Sequence, residues 1–288
     1  MLNTIQKQAE QGVDVMTLHI AYNKRLAKKV ARSERIIPLT SRSGAILTSY
    51  MLKTGNENPY GVLFDEILDI LSANSVILSL GSAVRPASIC DGLDELYFAE
   101  LLEQREIVKK AWEKRVGVMV EAAGHIRIDQ IEQYVKISKR LLHGAPLRSL
   151  GPTVCDIGAG YDHITGSIGA AVAATHGCDF LTCTTRTEHI GLPRIEDVKE
   201  SVIAFKLAAY IGDTVKRGDT SRDKKVSEAR KKCDWKTIWE ESIYGEDAYA
   251  LSKEINPLQS SACSMCGQYC ALRLMSRNIE KLGKESLE

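Results

Sequence analysis

The sequence has no excess of charge, no long apolar run and no internal repeat, and each absence removes a class of protein. Its 38 Lys and Arg face 37 Asp and Glu, a formal net charge of +1. That balance offers no broad basic footprint for nucleic acid or an acidic membrane surface. No window approaches the ~18 consecutive apolar residues that span a bilayer. The opening MLNTIQKQAEQGVDVMTLHI lacks the basic segment and apolar run of a secretory signal. A cytoplasmic chain is expected, with neither nucleic acid nor membrane as partner. The composition, 44% hydrophobic and 26% charged, excludes collagen-like, low-complexity and largely disordered classes. The length suits one large core, or a core with an appendage.

What is present begins with alternation. Short apolar runs, Val13–Ala21, Arg35–Ser41, Ser75–Leu80, Val116–Ala122, Thr153–Gly158 and Phe180–Thr184, read as strands. Between them lie amphipathic stretches. In Phe98–Arg115, Leu101, Leu102, Ile107, Val108 and Ala111 face one way; Ile128–Leu142 repeats the pattern with Ile131, Tyr134, Ile137 and Leu141. Parallel strands need crossover helices, so such units predict a parallel sheet. Each strand ends in a polar or Gly-rich cluster: His19, Ser41–Gly44, Gly81–Pro86, Glu121–His125, Asp156–His163 and Thr187–His189. Polar groups spread over many strand ends fit a (β/α)8 TIM-type barrel, whose chemistry sits on that face. An open doubly wound sheet would gather them at one switch point. The six visible units fall short of the eight that closure needs.

The predicted organisation is a (β/α) barrel domain over 1–212, a charged linker over 213–234 and a C-terminal arm over 235–288. From Asp213 to Lys232, 12 of 20 residues are charged and no apolar period survives, which reads as a solvated linker or an exposed helix, with a basic contact surface as the lesser alternative.

Three clusters carry chemistry. Of eight cysteines, Cys90, Cys155, Cys178, Cys183 and Cys233 are scattered, where a reduced thiol behaves as a small hydrophobe. Cys263, Cys266 and Cys270 instead crowd together as C-x2-C-x3-C. Three thiolates on a short loop can hold three corners of a 4Fe-4S cubane, leaving one iron open for S-adenosylmethionine. A structural zinc site would want a fourth ligand, for which only a folded-back Cys233 is at hand. His125 and His189 each end a strand-like run and suit zinc or iron, with Glu121 or Glu188 as a third ligand or acceptor. Ser41-Arg42-Ser43-Gly44 and Arg85-Pro86-Ala87-Ser88 offer guanidinium, hydroxyl and backbone donors to an anion. Tyr161–Thr165 can supply acid–base or hydrogen-bonding groups, with His163 read as an orienting residue. His143 and His176 stand alone.

The run from Leu150 to Ala171, LGPTVCDIGAGYDHITGSIGAA, resembles a signature of the radical thiamine pyrimidine synthase (phosphomethylpyrimidine synthase) family. So do Glu188–Pro193, the Ser-Arg-x-Gly of 41–44, the Arg-Pro of 85–86 and the Glu-x-x-Gly-His of 121–125. The likeness runs from about Gln8 to the cysteine cluster. It implies a (β/α)8 barrel and a C-terminal iron–sulfur arm that reaches the neighbouring subunit in a homodimer. It also implies S-adenosylmethionine as radical source and aminoimidazole ribotide as substrate, rearranged to the hydroxymethylpyrimidine phosphate of thiamine. A flavodoxin- or ferredoxin-like electron donor follows. By matching positions, Cys263, Cys266 and Cys270 become cluster ligands, with Cys266 and Glu121 as catalytic residues. His125 and His189 become ligands of zinc or iron. His19, Ser41, Arg42, Gly44, Arg85 and Glu121 become substrate contacts.

The chain departs from the family pattern at four places. The last two cysteines stand one residue closer; Asp-Gly-Leu-Arg-Pro reads Ser82–Pro86; Glu-Gly-Pro-Gly-His reads Glu121–His125; an aromatic position is Arg148. The resemblance also places two barrel strands before Gln8, which implies a truncated or split enzyme. Three alternatives follow: a paralogue making 5-hydroxybenzimidazole for cobamides from the same ribotide, a non-catalytic subunit, and a zinc hydrolase using the histidine pair.

Overall fold

The computed structural model describes residues 1–255 and 265–285. The chain divides into two compact units, Met1–Lys216 and Arg217–Glu288.

The first unit is built on five parallel strands in sequential order: β1 (Val15–Leu18), β2 (Ile77–Leu80), β3 (Val118–Glu121), β4 (Leu147–Leu150) and β5 (Phe180–Thr182). α1 (Leu2–Glu10) precedes β1. α2 (Lys24–Val30), α3 (Arg42–Thr54), α4 (Pro59–Val62) and α5 (Phe64–Ala73) follow it. One long helix then crosses back after each strand: α6 (Glu95–Glu113), α7 (Ile131–Leu141), α8 (Asp162–Thr175) and α9 (Ile195–Arg217). Sequential parallel order with a helix on each crossover is the arrangement of a partial TIM-type barrel. Residues bury where both faces are covered. Leu78, Leu80, Val118 and Val120 pack with Leu68, Leu71, Val108 and Tyr134 in one continuous core. A smaller core of Tyr22, Leu26, Met51, Ala83 and Val84 lies under the loops that follow β1 and β2.

Caps fix where helices start, and so where strand-end loops must stop. Asn23, Ser41 and Asp94 accept the Leu26, Gly44 and Tyr97 amides at 3.0, 3.1 and 3.0 Å. Glycine matters at Gly169 of α8, where an added Cβ would lie 2.0 Å from the Pro152 carbonyl oxygen. The helix therefore lies directly on the loop after β4.

The sheet has five strands, not six. Arg35–Ser41 is an irregular loop: Pro38 removes a donor, and the Ile36 and Ile37 amides are taken by the Asp91 carboxylate at 2.9 and 3.0 Å. Ile36 is 70% exposed. Thr153–Gly158 contributes only an isolated bridge between His125 and Thr153. The strand lies earlier, at Leu147–Leu150, where Arg148 interrupts the apolar run. On α6, Leu102 points to solvent, and the buried stripe runs through Leu96, Tyr97, Glu100, Leu101, Gln104, Val108 and Ala111.

The second unit contains α10 (Ser221–Lys232), α11 (Trp235–Glu241), α12 (Gly245–Ile255) and α13 (Ala271–Glu285). The stretch 213–234, read from its charge as a linker or exposed helix, holds the end of α9 and all of α10. Its residues are good helix formers, but α10 buries only Ala229 and so shows no apolar period. α10 packs on α11 and α13, and α11 on α12; Trp235 and Trp239 stack at 5.9 Å between centroids. Among the described residues no helix is long and apolar enough to cross a membrane.

Candidate active site at the strand ends

Glu121, the last residue of β3, is the centre of the first group. Its register partner on β4 is Arg148, and the Arg148 Nη2 donates to Glu121 Oε1 at 3.0 Å. Arg148 Nη1 reaches Thr182 Oγ1 on β5 at 3.3 Å. The other oxygen, Oε2, accepts from the Ser82 amide at 2.7 Å and lies 3.4 Å from Arg85 Nη1. Parallel neighbours present like faces, so three adjacent strands and the loop after β2 converge on one carboxylate. Glu121 is buried and the two guanidiniums are partly so.

His19, just beyond β1, lies against the same strand ends. Gly81 makes room: a Cβ there would come within 2.6 Å of the His19 ring. His19 Nε2 stands 3.0 Å from the Ser41 hydroxyl. Burial lowers the pKa of His19, and Arg85 and Arg148 push the same way, against the opposing pull of Glu121. The ring is therefore neutral near pH 7. Gly44 is buried at 3.0 Å (from an ideal Cβ) to Ala83, while Arg42 is exposed on the first turn of α3. Of the sequence-predicted substrate contacts, the structure thus gathers His19, Ser41, Arg85 and Glu121. Arg42 has no hydrogen bond to any of them.

Beneath this group sits Glu100 of α6, fully buried and absent from the sequence-based candidates. It accepts from the Ser82 hydroxyl at 2.6 Å and from the Ala83 and Val84 amides at 2.8 and 3.2 Å. Burial pushes its carboxyl up to about 7, despite those three donors. It anchors the backbone from which Arg85 extends. The signal was a carboxylate in the apolar stripe of α6, between Tyr97 and Leu101.

The second group is the histidine pair. The His125 and His189 rings stand 5.2 Å apart, edge to face. Each has its Nδ1 tied to a carboxylate: His125 to Asp156 at 2.7 Å, and His189 to Asp162 at 2.8 Å. That leaves both Nε2 atoms free to act as ligands, the arrangement in which a carboxylate fixes the tautomer of a metal-binding imidazole. Asp156 also accepts from Ser88 Oγ and the Ile89 amide, each at 2.9 Å, so the loop after β2 stitches the two groups together. Burial raises the Asp156 carboxyl, but the His125, Ile89 and Ser88 bonds outweigh it and hold it below its ordinary value. Asp162 Oδ2 is buried without a partner. The donor set therefore fits a cation held by two imidazoles. Among the described residues no set of three His, Cys, Asp or Glu side chains gathers around one point. Glu121, engaged by two arginines, and Glu188 do not join the pair; Asp156 and Asp162 take the acceptor role. His163 is buried with Nε2 3.4 Å from Glu200 and Nδ1 unpartnered.

The third group belongs to the second unit. Cys266 and Cys270 flank a single 3-10 turn, Gly267–Tyr269, and both are free thiols. Cys270 precedes α13, and the Arg273 backbone amide, with that of Leu272, holds its thiol below the usual cysteine range. Thiolate donors on one short turn fit an iron–sulfur cluster. The third expected ligand, Cys263, lies outside the described residues.

The chain is 43% identical over 281 residues to the phosphomethylpyrimidine synthase of Alkaliphilus oremlandii, covering 97% of this chain and 64% of that protein. It is 43% identical over 279 residues to the same-named protein of Clostridium acetobutylicum, covering 96% and 64%. The Finegoldia magna protein of that name is 41% identical over 278 residues, again 96% and 64%. The chain thus spans 64% of the length of these curated relatives. Residues 1–277 match the model of the Radical SAM ThiC family, and with the strand-end carboxylate, the histidine pair and the thiol turn in view, the chain belongs to that family.

Proposed function

We propose that this chain is the catalytic part of a radical S-adenosylmethionine lyase. It rearranges 5-aminoimidazole ribotide to 4-amino-5-hydroxymethyl-2-methylpyrimidine phosphate, the thiamine pyrimidine. The observation that carries the reading is the gathering of His19, Ser41, Arg85, Glu121 and Arg148 at the C-terminal ends of parallel strands. It stands in a chain whose relatives bear the pyrimidine synthase's name. That name also favours the pyrimidine over a benzimidazole product.

Family membership implies S-adenosylmethionine and a 4Fe-4S cluster, for which Cys263, Cys266 and Cys270 are the ligands. When bound, they supply the carbon-centred radical that starts the rearrangement. The chain's own residues do the positioning. Arg85 and Arg148 hold the Glu121 carboxylate in one orientation and present guanidinium protons to an anionic or hydroxyl-rich ligand. Neutral His19 shares a proton with Ser41, so the pair can donate to or accept from a substrate nitrogen. His125 and His189 would hold zinc or iron, with Asp156 and Asp162 keeping each imidazole in the ligating tautomer. The working protein is read as a cytoplasmic homodimer, supplied by a low-potential electron donor.

Anaerobic reconstitution tests the reading. About four irons and four sulfides per chain, the content of one cubane, are expected. Reductant, S-adenosylmethionine and aminoimidazole ribotide should then yield 5'-deoxyadenosine and the pyrimidine phosphate by mass spectrometry. A colourless chain free of acid-labile sulfide ends the radical reading; a loaded chain giving a benzimidazole corrects the product.

A further inference from the structure

His19 is the first residue past β1, where the sheet no longer holds the chain. The Gly81 amide bonds the Leu18 carbonyl at 3.0 Å, and β1 ends there. The ring of His19 is steadied by Ser41 and lies close over Gly81. Its backbone needs a holder of its own, because an imidazole is placed no better than the Cα that carries it.

Asn58 is that holder. It is buried at 2% exposure, although asparagine usually faces water. Its Nδ2 donates to the His19 carbonyl and to the Tyr22 carbonyl, each at 2.8 Å. Its Oδ1 accepts the Tyr60 amide at 3.0 Å, as the N-cap of α4. Carbonyls only accept and an amide N–H only donates, so these partners fix which way the side chain is turned. The donated bonds reach back 39 and 36 residues. Tyr22 is itself fully buried, with its hydroxyl 2.6 Å from Thr48 Oγ1 on α3. Capping α4 needs only the oxygen of Asn58. The two amide hydrogens have no part in that cap, and both are spent on the segment that carries His19.

We propose that Asn58 is a positioning residue of the strand-end site: by pinning the His19 carbonyl, it fixes where the imidazole meets the substrate. The inference rests on the reading of His19 as a substrate contact and deepens it by naming the residue that sets its place. Asn58 touches no reacting atom and acts through His19. The groups facing that ring are Glu121 of β3, Arg148 of β4, Arg85 of the loop after β2, and Ser41 at the start of α3. While the loop is pinned, burial keeps the ring titrating below its ordinary 6.5. A ring released toward water loses that burial, and its titration rises toward the ordinary value.

The experiment is a pH titration of the histidine ring signals, by NMR, in the full chain carrying selectively labelled histidine. The chain has six histidines, and the His19 signal is the one missing from His19→Gln. Asn58→Ser keeps a capping oxygen for α4 but is too short to bridge both carbonyls. In that variant the His19 midpoint should move up toward 6.5, while the other histidines stay in place. In the reconstituted enzyme, kcat/KM for aminoimidazole ribotide should fall about 10²-fold, the scale of a ~1 Å misplacement. Val135→Ala, a buried truncation on α7, controls for loss of stability. It should lower the urea midpoint and leave both the His19 titration and turnover as in the wild type. Should Asn58→Ser be recovered unfolded, Asn58→Asp keeps the shape and the cap but turns an oxygen toward the two carbonyls, and carries the same test. An unmoved His19 midpoint overturns the proposal, as does an equal shift in Val135→Ala. Full turnover in His19→Gln removes the reading beneath it. A chain that takes up no iron or sulfide yet shows the His19 shift ends the radical reading and leaves the pinning by Asn58 standing. An active enzyme whose His19 ignores Asn58→Ser sinks the inference alone.

Discussion

Arginine and lysine are put to opposite uses in the two units. At the strand ends, Arg85 and Arg148 are locked onto Glu121, and their charge is consumed in holding a side chain still. On α10 and α13, Lys231, Lys232 and Arg277 are exposed and line a surface groove, with no ion pair to a carboxylate among the described residues. The difference lies in burial. A carboxylate of 7% side-chain exposure must be compensated by near neighbours, whereas solvent tolerates unpaired cations at a helix end. Internal pairing gives geometry; external charge gives a field.

Four experiments press on that contrast. Cys266→Ala should abolish cluster assembly and with it all 5'-deoxyadenosine formation, read as loss of iron, sulfide and visible absorbance. Glu121→Gln removes the carboxylate while keeping its shape, and should lower turnover about 10²- to 10⁴-fold, the range for lost acid–base function. That loss should be indifferent to salt, because a buried carboxylate is screened little. Asp156→Asn should weaken metal retention by the histidine pair about 10- to 100-fold, measured by competition with a chelator. Arg148→Met, by uncoupling a largely buried ion pair, should cost roughly 3 kcal/mol of stability in denaturant titration.

A smaller effect concerns pH. Glu100 titrates near 7 in the folded chain against an ordinary glutamate value of 4.5. Its folded pKa is raised, so the contribution is fully present below about pH 4.5 and is lost as pH rises through 7. The wild type should therefore lose up to roughly 3 kcal/mol between those limits from this group. Glu100→Gln should flatten that slope, as followed by urea midpoints across pH.

The sequence made the sheet legible where strands are apolar. β1, β2, β3 and β5 fall inside runs read from their residues: β2 and β3 are buried along most of their length and so nearly continuously hydrophobic, while β1 alternates exposed and buried residues. β4 escaped because Arg148 sits in its middle, an exception made for the site itself. Arg35–Ser41 looked like a strand because Ile36, Ile37 and Leu39 are apolar, yet Asp91 takes the amides a sheet would need. Around α10 an exposed helix and a linker could not be told apart, because propensity without an apolar stripe leaves no period to read.

The site was legible by residue type and illegible by partnership. His19, Ser41, Arg85, Glu121, His125 and His189 could be nominated singly from strand-end positions. Which carboxylate serves which imidazole depends on loop closure over 31 residues for His125 and Asp156 and 27 for Asp162 and His189. No local pattern encodes that.

Position 169 works as a lever. Any side chain heavier than hydrogen would have to push α8 off the Pro152 carbonyl, and α8 begins about two turns away at Asp162, the residue that steadies His189. A single methyl group would then disturb an imidazole it never touches. Libraries built to retune this scaffold should freeze residue 169, because it supports the site from a distance.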